Sequence, residues 1–330
     1  MRTLSGIQPS GNLHLGNYFG MMKQMIELQE SRDLYCFIVN YHALTSQRNA
    51  DILKADTFSA AADFLALGLN PEKCCLWVQS DLPQVTELTW ILSNITSLGL
   101  LERCHSYKDK IANGIKPSHG LFSYPVLMTA DILMMQAQSV PVGKDQKQHL
   151  EVAQDIAQRF NHMYGDVFVI PQPQIQDLTA QLPGVDGRKM SKSYDNTIHI
   201  FEDSKSLKKK VMGIKTDSTP VEEAKPVVDN PLFDIYSVFL DKVQREALKK
   251  RFETPGLRYG DVKKELLQCI DDYFADFRLR RRQLQDKSDY VYDVLEDGAK
   301  KAGRIAEMTM DTVRDVVGIS YRKYSDAVQN

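Results

Sequence analysis

Short, mainly apolar runs set between longer amphipathic stretches restrict the fold most. Thr3-Leu4-Ser5-Gly6-Ile7, Leu34-Tyr35-Cys36-Phe37-Ile38-Val39 and Cys75-Leu76-Trp77-Val78-Gln79 are each of strand length. Such runs suit parallel strands buried on both faces. Between them, Phe19, Met22, Met25, Ile26 and Leu28 recur at helical spacing, residues 51 to 68 are rich in Ala and Leu, and Val85 to Leu100 reads as a further helix. Gly68-Leu69-Asn70-Pro71 stops the second of these. Strand, helix, strand, helix predicts an α/β chain built on a doubly wound parallel sheet.

In such a sheet the chemistry belongs at the carboxyl ends of the strands. The first strand runs into Pro9-Ser10-Gly11-Asn12-Leu13-His14-Leu15-Gly16-Asn17-Tyr18, a Pro/Gly turn that opens a helix. Gly11 and Gly16 let a phosphate or an adenine approach the backbone, and free N–H groups at a helix start attract an anion. His14 adds a donor that strengthens as charge develops on a phosphate. The plainer reading is a Gly-rich turn with a surface His. Much later, Lys189-Met190-Ser191-Lys192-Ser193 follows the polar loop Pro183-Gly184-Val185-Asp186-Gly187-Arg188. Two lysines and two hydroxyls in five residues suit a phosphate clamp, although a basic, Ser-rich loop by itself is usually only solvated.

Residues 101 to 124 read as irregular and polar, with Lys108, Lys110 and Lys116 among glycines and a proline. Tyr124-Pro125 leads into the helical run Met128-Thr129-Ala130-Asp131-Ile132-Leu133-Met134-Met135. Asp131 stands among apolar neighbours, and burying a lone carboxylate is costly unless it is paired. It is either an Asp on a wet helix face or a buried acceptor for a ligand's donor. Val140-Pro141-Val142 ends a strand before Gly143-Lys144-Asp145-Gln146, and a long helix follows. There Asp145 either caps the helix with Gln148 or meets a ribose hydroxyl. Phe168-Val169-Ile170-Pro171 is expected to be the last strand. From about Ser204 onward, helices are joined by Pro/Gly breaks, which places a boundary near residue 198 between a sheet domain (1–198) and a helical domain (199–330). Lys208-Lys209-Lys210 and Arg278, Arg280, Arg281 and Arg282 read by default as solvated helix faces, and more sharply as contacts to an RNA backbone.

At 330 residues the chain suits one large or two medium domains, and a net charge of −2 means that any nucleic-acid surface must be a local patch. Five cysteines (Cys36, Cys74, Cys75, Cys104 and Cys269), odd in number and without a Cys-x-x-Cys pair, argue against a disulfide framework and for a reducing cytoplasm. No secretory pattern and no membrane-length apolar run are read, so no membrane partner is expected.

The two loops together resemble the signature pair of the class I aminoacyl-tRNA synthetases. The class commonly has His at the position of Asn17, and Asn there is common in the tryptophanyl branch. Gln8-Pro9-Ser10-Gly11 through Tyr18, Tyr41-His42-Ala43-Leu44-Thr45, Met128 to Leu133, Val140 to His149 and Lys189 to Ser193 are similar to the bacterial tryptophanyl-tRNA synthetases. At residues 143 to 145 that family usually reads Gly-Glu-Asp, so Lys144 reverses a charge. The resemblance implies a Rossmann-like catalytic domain with a C-terminal all-helical, anticodon-binding domain. It implies activation of L-tryptophan by ATP to tryptophanyl-adenylate, transfer to tRNA(Trp), Mg2+ carried by the nucleotide, and a homodimer. Because the helical part has only Cys269, no iron–sulfur cluster is expected, nor any protein-held metal.

By the same resemblance, Gln8, Pro9, Ser10, Gly16 and Asn17 line the ATP site, with His14 as a phosphate-side donor. Gly143, Lys144, Asp145 and Leu182 complete the adenosine pocket. Met190, Ser191 and Ser193 belong to the clamp in which Lys189 and Lys192, helped by Lys110, hold the departing pyrophosphate. Asp131 accepts the indole N–H, Met128, Val140 and Val142 pack the ring, and His42, Tyr124 and Gln146 form the polar edge. The nearest alternative is a tyrosyl-tRNA synthetase, which shares the architecture. Against it stand the Val140 to His149 run and an Asp set among apolar residues.

Overall fold

The computed structural model describes residues 1–9, 11–104, 118–143, 146–175 and 182–321. Among them, five strands form one parallel sheet in the order β3-β2-β1-β4-β5. The strands are β1 (Arg2–Ile7), β2 (Asp33–Ile38), β3 (Cys74–Val78), β4 (Ser139–Val142) and β5 (Gln172–Ile175). β1 pairs with β2 from Arg2↔Asp33 to Ile7↔Ile38, and meets β4 at Thr3↔Ser139. The sheet order reverses direction between β1 and β4, so a crevice opens beyond the carboxyl ends of these two strands.

The expected last strand is displaced. Phe168 is buried against Phe160 rather than paired, and the strand begins after Pro171, with Val140↔Pro173 and Val142↔Ile175 in register. Pro173 is tolerated because β5 is an edge strand. The helix expected from Val85 to Leu100 is two pieces, α4 (Gln84–Ser93) and α5 (Leu98–Glu102). They follow α1 (Leu15–Asn17, continued through the π turn Tyr18–Met22 into Lys23–Leu28), α2 (Asn40–Ala43) and α3 (Ala50–Ala66). α6 (His119–Met134) starts earlier than the sequence indicated, so Tyr124 is helical and Pro125 lies inside the helix. Ser118 supplies the start signal, its Oγ accepting from Leu121 N at 3.1 Å. α7 is Lys147–Tyr164.

The remaining helices are α8 (Ser204–Met212), α9 (Pro231–Ser237), α10 (Lys242–Phe252), α11 (Tyr259–Asp286) and α12 (Ser288–Val317). On α10, Leu248 and Phe252 are buried and Val243 is exposed. These helices do not form a separate core. Tyr18 and Phe19 of α1 meet Phe274 of α11 edge-on, with centroids 5.2 and 6.4 Å apart. α12 returns to the sheet and covers its edge strand, β3. A Cβ on Gly298 would lie 1.8 Å from Leu76 O, so only glycine allows this approach, and Cys75 Sγ donates to Gly298 O at 3.1 Å. Covering that edge removes a surface on which another strand could add.

Candidate active site

A cavity of about 500 Å3 lies in the crevice at the carboxyl ends of β1, β2 and β4. It brings together all seven residues expected to bind the amino acid: His42, Tyr124, Met128, Asp131, Val140, Val142 and Gln146. Gln8 and Gly143, expected for the nucleotide, line the same cavity. Apolar Phe37 lines it and stacks on buried Trp77 at 5.2 Å with the planes 13° apart.

Asp131 is 3 % exposed and its side chain faces this cavity. Burial pushes its carboxyl above the usual range, opposed by His42 and Gln79. Nε2 of His42 stands 2.9 Å from Oδ2. Nε2 of Gln79 donates to Oδ1 and Oδ2, both at 2.9 Å. A carboxylate has about four acceptor positions, so one further donor from a ligand can be taken.

The second polar edge runs through His149. Its Nδ1 is 3.0 Å from Gln146 Oε1, and its Nε2 is 2.6 Å from the Tyr124 hydroxyl. An amide oxygen requires the proton on Nδ1, so the Tyr124 hydroxyl donates to Nε2 and keeps its oxygen as an acceptor.

Two residues of this site were not singled out from the sequence. Gln79 looked like the last residue of an apolar strand. Its signal was that a polar side chain stands where β3 gives out, at the sheet's functional edge. His149 sat inside a recognised run without a role of its own.

The nucleotide side is built differently. Gly11 adopts φ +72°, a conformation that favours glycine, and a Cβ there would lie 3.6 Å from Asp56 Oδ1 and 3.8 Å from Lys192 Nζ. The two signature loops are joined by backbone. His14 bridges to His199 in antiparallel fashion, Leu15 N donates to Ile198 O, and Ile200 N donates to Leu13 O, both at 3.0 Å. The clamp loop is a hairpin: Met190 N donates to Leu182 O at 3.0 Å and Gly184 N to Arg188 O at 2.7 Å. Asn196, another residue that the sequence reading passed over, pins it. Its Oδ1 accepts from Ser191 N at 2.8 Å, and its Nδ2 donates to Lys189 O at 3.0 Å. Ser191 and Ser193 bond through their hydroxyls at 2.9 Å.

Burial first, then Lys192 and His199, lower His14 to about 4, so its imidazole is neutral at pH 7. His14 Nδ1 is buried without a hydrogen-bond partner among the described residues. The Asn17 side chain turns back, its Oδ1 accepting from His14 N at 3.2 Å, and so shapes the turn. Burial lowers Lys192 as well, with Asp56 and Asp63 acting the other way. Asp63, pushed up to about 6 by burial, is bonded to Arg281 of α11. Arg278 holds Ile200 O and Asp271, at 2.8 and 2.7 Å. Arg281 therefore ties α11 to α3, and Arg278 ties it to Ile200 beside the His14–His199 bridge, so these two are not a solvated face. They also line a larger cavity of about 920 Å3 on the side of His199, where no expected site residue lies. Ser10, Lys110, Lys144 and Asp145 lie outside the described residues.

Residues 1–275 match the family of class I tRNA synthetases for W and Y. A tryptophan–tRNA ligase of Fusobacterium nucleatum is 52% identical over 319 residues, covering 96% of this chain and 98% of that protein. One from Campylobacter jejuni is 47% identical over 319 residues, covering 97% of this chain and 100% of that one. Among solved structures, tryptophanyl-tRNA synthetase of Campylobacter jejuni in complex with ADP and tryptophan superimposes with a TM-score of 0.90. Its identity is 47%, and the match covers 96% of this chain and 100% of that one.

Proposed function

The chain belongs to the class I tRNA synthetases for tryptophan and tyrosine, and on that premise we infer that it is a tryptophan–tRNA ligase: it activates L-tryptophan with ATP and transfers it to tRNA(Trp). The observation that carries the choice of amino acid is a buried Asp131, braced on two sides and open to the apolar cavity. Indole is a donor-only ring, and a slot keyed by a carboxylate penalises any ring without that donor. Met128, Val140 and Val142 pack the ring, and the Tyr124 oxygen, with Gln146 and His42, forms the polar edge that receives the amino group.

A carboxylate oxygen of tryptophan attacks the α-phosphorus of ATP. The bond from that phosphorus to the bridging oxygen breaks, and pyrophosphate leaves with the electron pair. A ribose hydroxyl of the tRNA then attacks the acyl carbon, and AMP leaves. No protein nucleophile is needed, so the chain's contribution is positioning and charge stabilisation. Neutral His14 donates a hydrogen bond to a phosphate oxygen, while Lys189 and Lys192 follow the pyrophosphate charge as it departs. Gln8, Pro9, Ser10, Gly16, Asn17, Gly143, Lys144, Asp145 and Leu182 cradle the nucleotide. Lys110 assists the clamp. Mg2+ travels on the phosphates, where it offsets their charge as phosphoryl transfer requires.

Residues 199–330 serve tRNA binding, and Lys208, Lys209 and Arg280 are the basic side chains offered to its backbone. Homodimerisation is supported by the exposed apolar residues Trp90 (72 %) and Leu98 (68 %) on and after α4. Five free thiols suit a reducing cytoplasm. No helix among the described residues is long and apolar enough to cross a membrane.

Amino-acid-dependent ATP–pyrophosphate exchange, followed by charging of a tRNA with the tryptophan anticodon, tests this reading. Exchange with tryptophan and charging of that tRNA are expected. Exchange driven equally by tyrosine would overturn the assignment.

A further inference from the structure

Gln79 is 1 % exposed and stands in the first turn after β3, and three elements meet on its amide. Its Oε1 accepts from Tyr41 N at 3.0 Å and His42 N at 3.4 Å, the opening N–H groups of α2. Its Nε2 gives both contacts to Asp131 of α6. The amide orientation follows from this chemistry: backbone N–H groups demand the oxygen, and a carboxylate demands the nitrogen. The segments that carry it are locked to each other next door. Asn40 Nδ2 donates to Ser80 Oγ at 2.8 Å, and Ser80 N donates to Asn40 Oδ1 at 3.1 Å.

Only an amide of this length answers both sides. A glutamate would turn a second carboxylate toward Asp131, where like charges repel. A methionine fills the space but donates nothing and leaves two N–H groups without an acceptor. With Gln79 in place, its Nε2 holds both oxygens of Asp131 while His42 Nε2 stands at Oδ2, so the remaining lone pair has one direction.

We propose that Gln79 is a positioning residue for amino-acid specificity: it aims Asp131 so that the site demands a ring N–H. The proposal rests on Asp131 being the indole acceptor. It predicts a loss that depends on the ring and not on the rest of the substrate. An amino acid whose ring N–H is replaced by sulfur has nothing for Asp131 to accept, so a misaimed carboxylate costs it nothing.

The test is pyrophosphate exchange by the full-length Gln79→Met variant with tryptophan and with the sulfur-ring analogue. Expected is a rise in KM for tryptophan and a fall of roughly 10- to 100-fold in kcat/KM, the size of one hydrogen bond to a charged group. KM for ATP stays unchanged, and the analogue is used as before, so the preference for tryptophan shrinks by the same factor. Equal losses on both amino acids, or unchanged tryptophan kinetics, would overturn the proposal. Asp131→Leu, close in shape and without an acceptor, serves as the second arm. If it keeps the full preference for tryptophan, the acceptor assignment itself fails. If it loses that preference while Gln79→Met keeps it, only the role of Gln79 fails. Should Gln79→Met fold poorly, Gln79→Glu keeps the side chain's length and must show the same ring-dependent loss.

Discussion

The cavity proposed for the amino acid and the cradle proposed for the nucleotide lie at the same edge of the sheet but are finished to different degrees. In the cavity, Asp131 already has its supports in place, His42 and Gln79, and Phe37 stacks on Trp77. In the cradle the backbone is set, through the His14–His199 bridge and the Asn196 pins, yet His14 Nδ1 is buried without a hydrogen-bond partner among the described residues. Lys192 stands beside Asp56 and is attracted also by Asp63. The difference follows from what each region must do. A slot that tells one ring from another needs its polar group fixed beforehand, because a loose acceptor can turn toward whatever enters. A site that stabilises charge on a departing group keeps its strongest contacts for the transition state.

The largest expected effect is on the fixed side. Asp131→Ala leaves His42 and Gln79 without their acceptor and removes the key to the ring. Exchange kinetics should show kcat/KM for tryptophan lower by roughly 10³-fold or more, with KM for ATP unchanged. A similar loss in ATP use would erase the distinction between the regions.

The cradle should answer in kcat. Lys192→Ala is expected to lower the rate of adenylate formation by roughly 10²- to 10³-fold, while tryptophan binding, measured by calorimetry, stays as it was. A weaker tryptophan complex in this variant would mean that the two regions are not separable.

Asn196→Ala removes the pins of the clamp and no phosphate contact. A rise of about tenfold in KM for ATP is expected, in proportion to one or two lost hydrogen bonds. An unchanged KM would show that the hairpin holds itself.

The smallest effect is on stability. His14 titrates near 6.5 when unfolded and near 4 when folded. Between these values the unfolded chain binds a proton that the folded chain refuses. The group's contribution is therefore favourable above about pH 6.5 and is lost as pH falls toward 4. His14→Gln should flatten the acid-side fall of the urea midpoint in that window. An unchanged slope would contradict the burial of a neutral ring.

What was legible in the sequence follows the same division. His42, Val140, Val142 and Gln146 could be read because they stand at a strand's carboxyl end or just beyond it, while Tyr124, Met128 and Asp131 share the helix that precedes β4. Asp131 was marked by its apolar neighbours. Gln79 was missed because its partners are 37 to 52 residues away in the chain, and nothing local distinguishes it from a strand's last residue. Asn196 was missed because its work is on backbone groups. The arginines of α11 were read as a charged helix face, since a sequence does not show that Arg281 reaches Asp63 across 218 residues. β5 was shifted because Phe168, Val169 and Ile170 are strand-like residues in a loop in which Phe168 is buried and Val169 exposed, while the true edge strand, Gln172–Ile175, holds two glutamines and a proline.

A crystal structure with tryptophan and a non-hydrolysable ATP analogue tests the central claim most directly. The expected result is the indole nitrogen within hydrogen-bond distance of Asp131, and the β- and γ-phosphates held between His14 and Lys192. Tryptophan lodged away from Asp131, or a triphosphate that touches neither His14 nor Lys192, would contradict it.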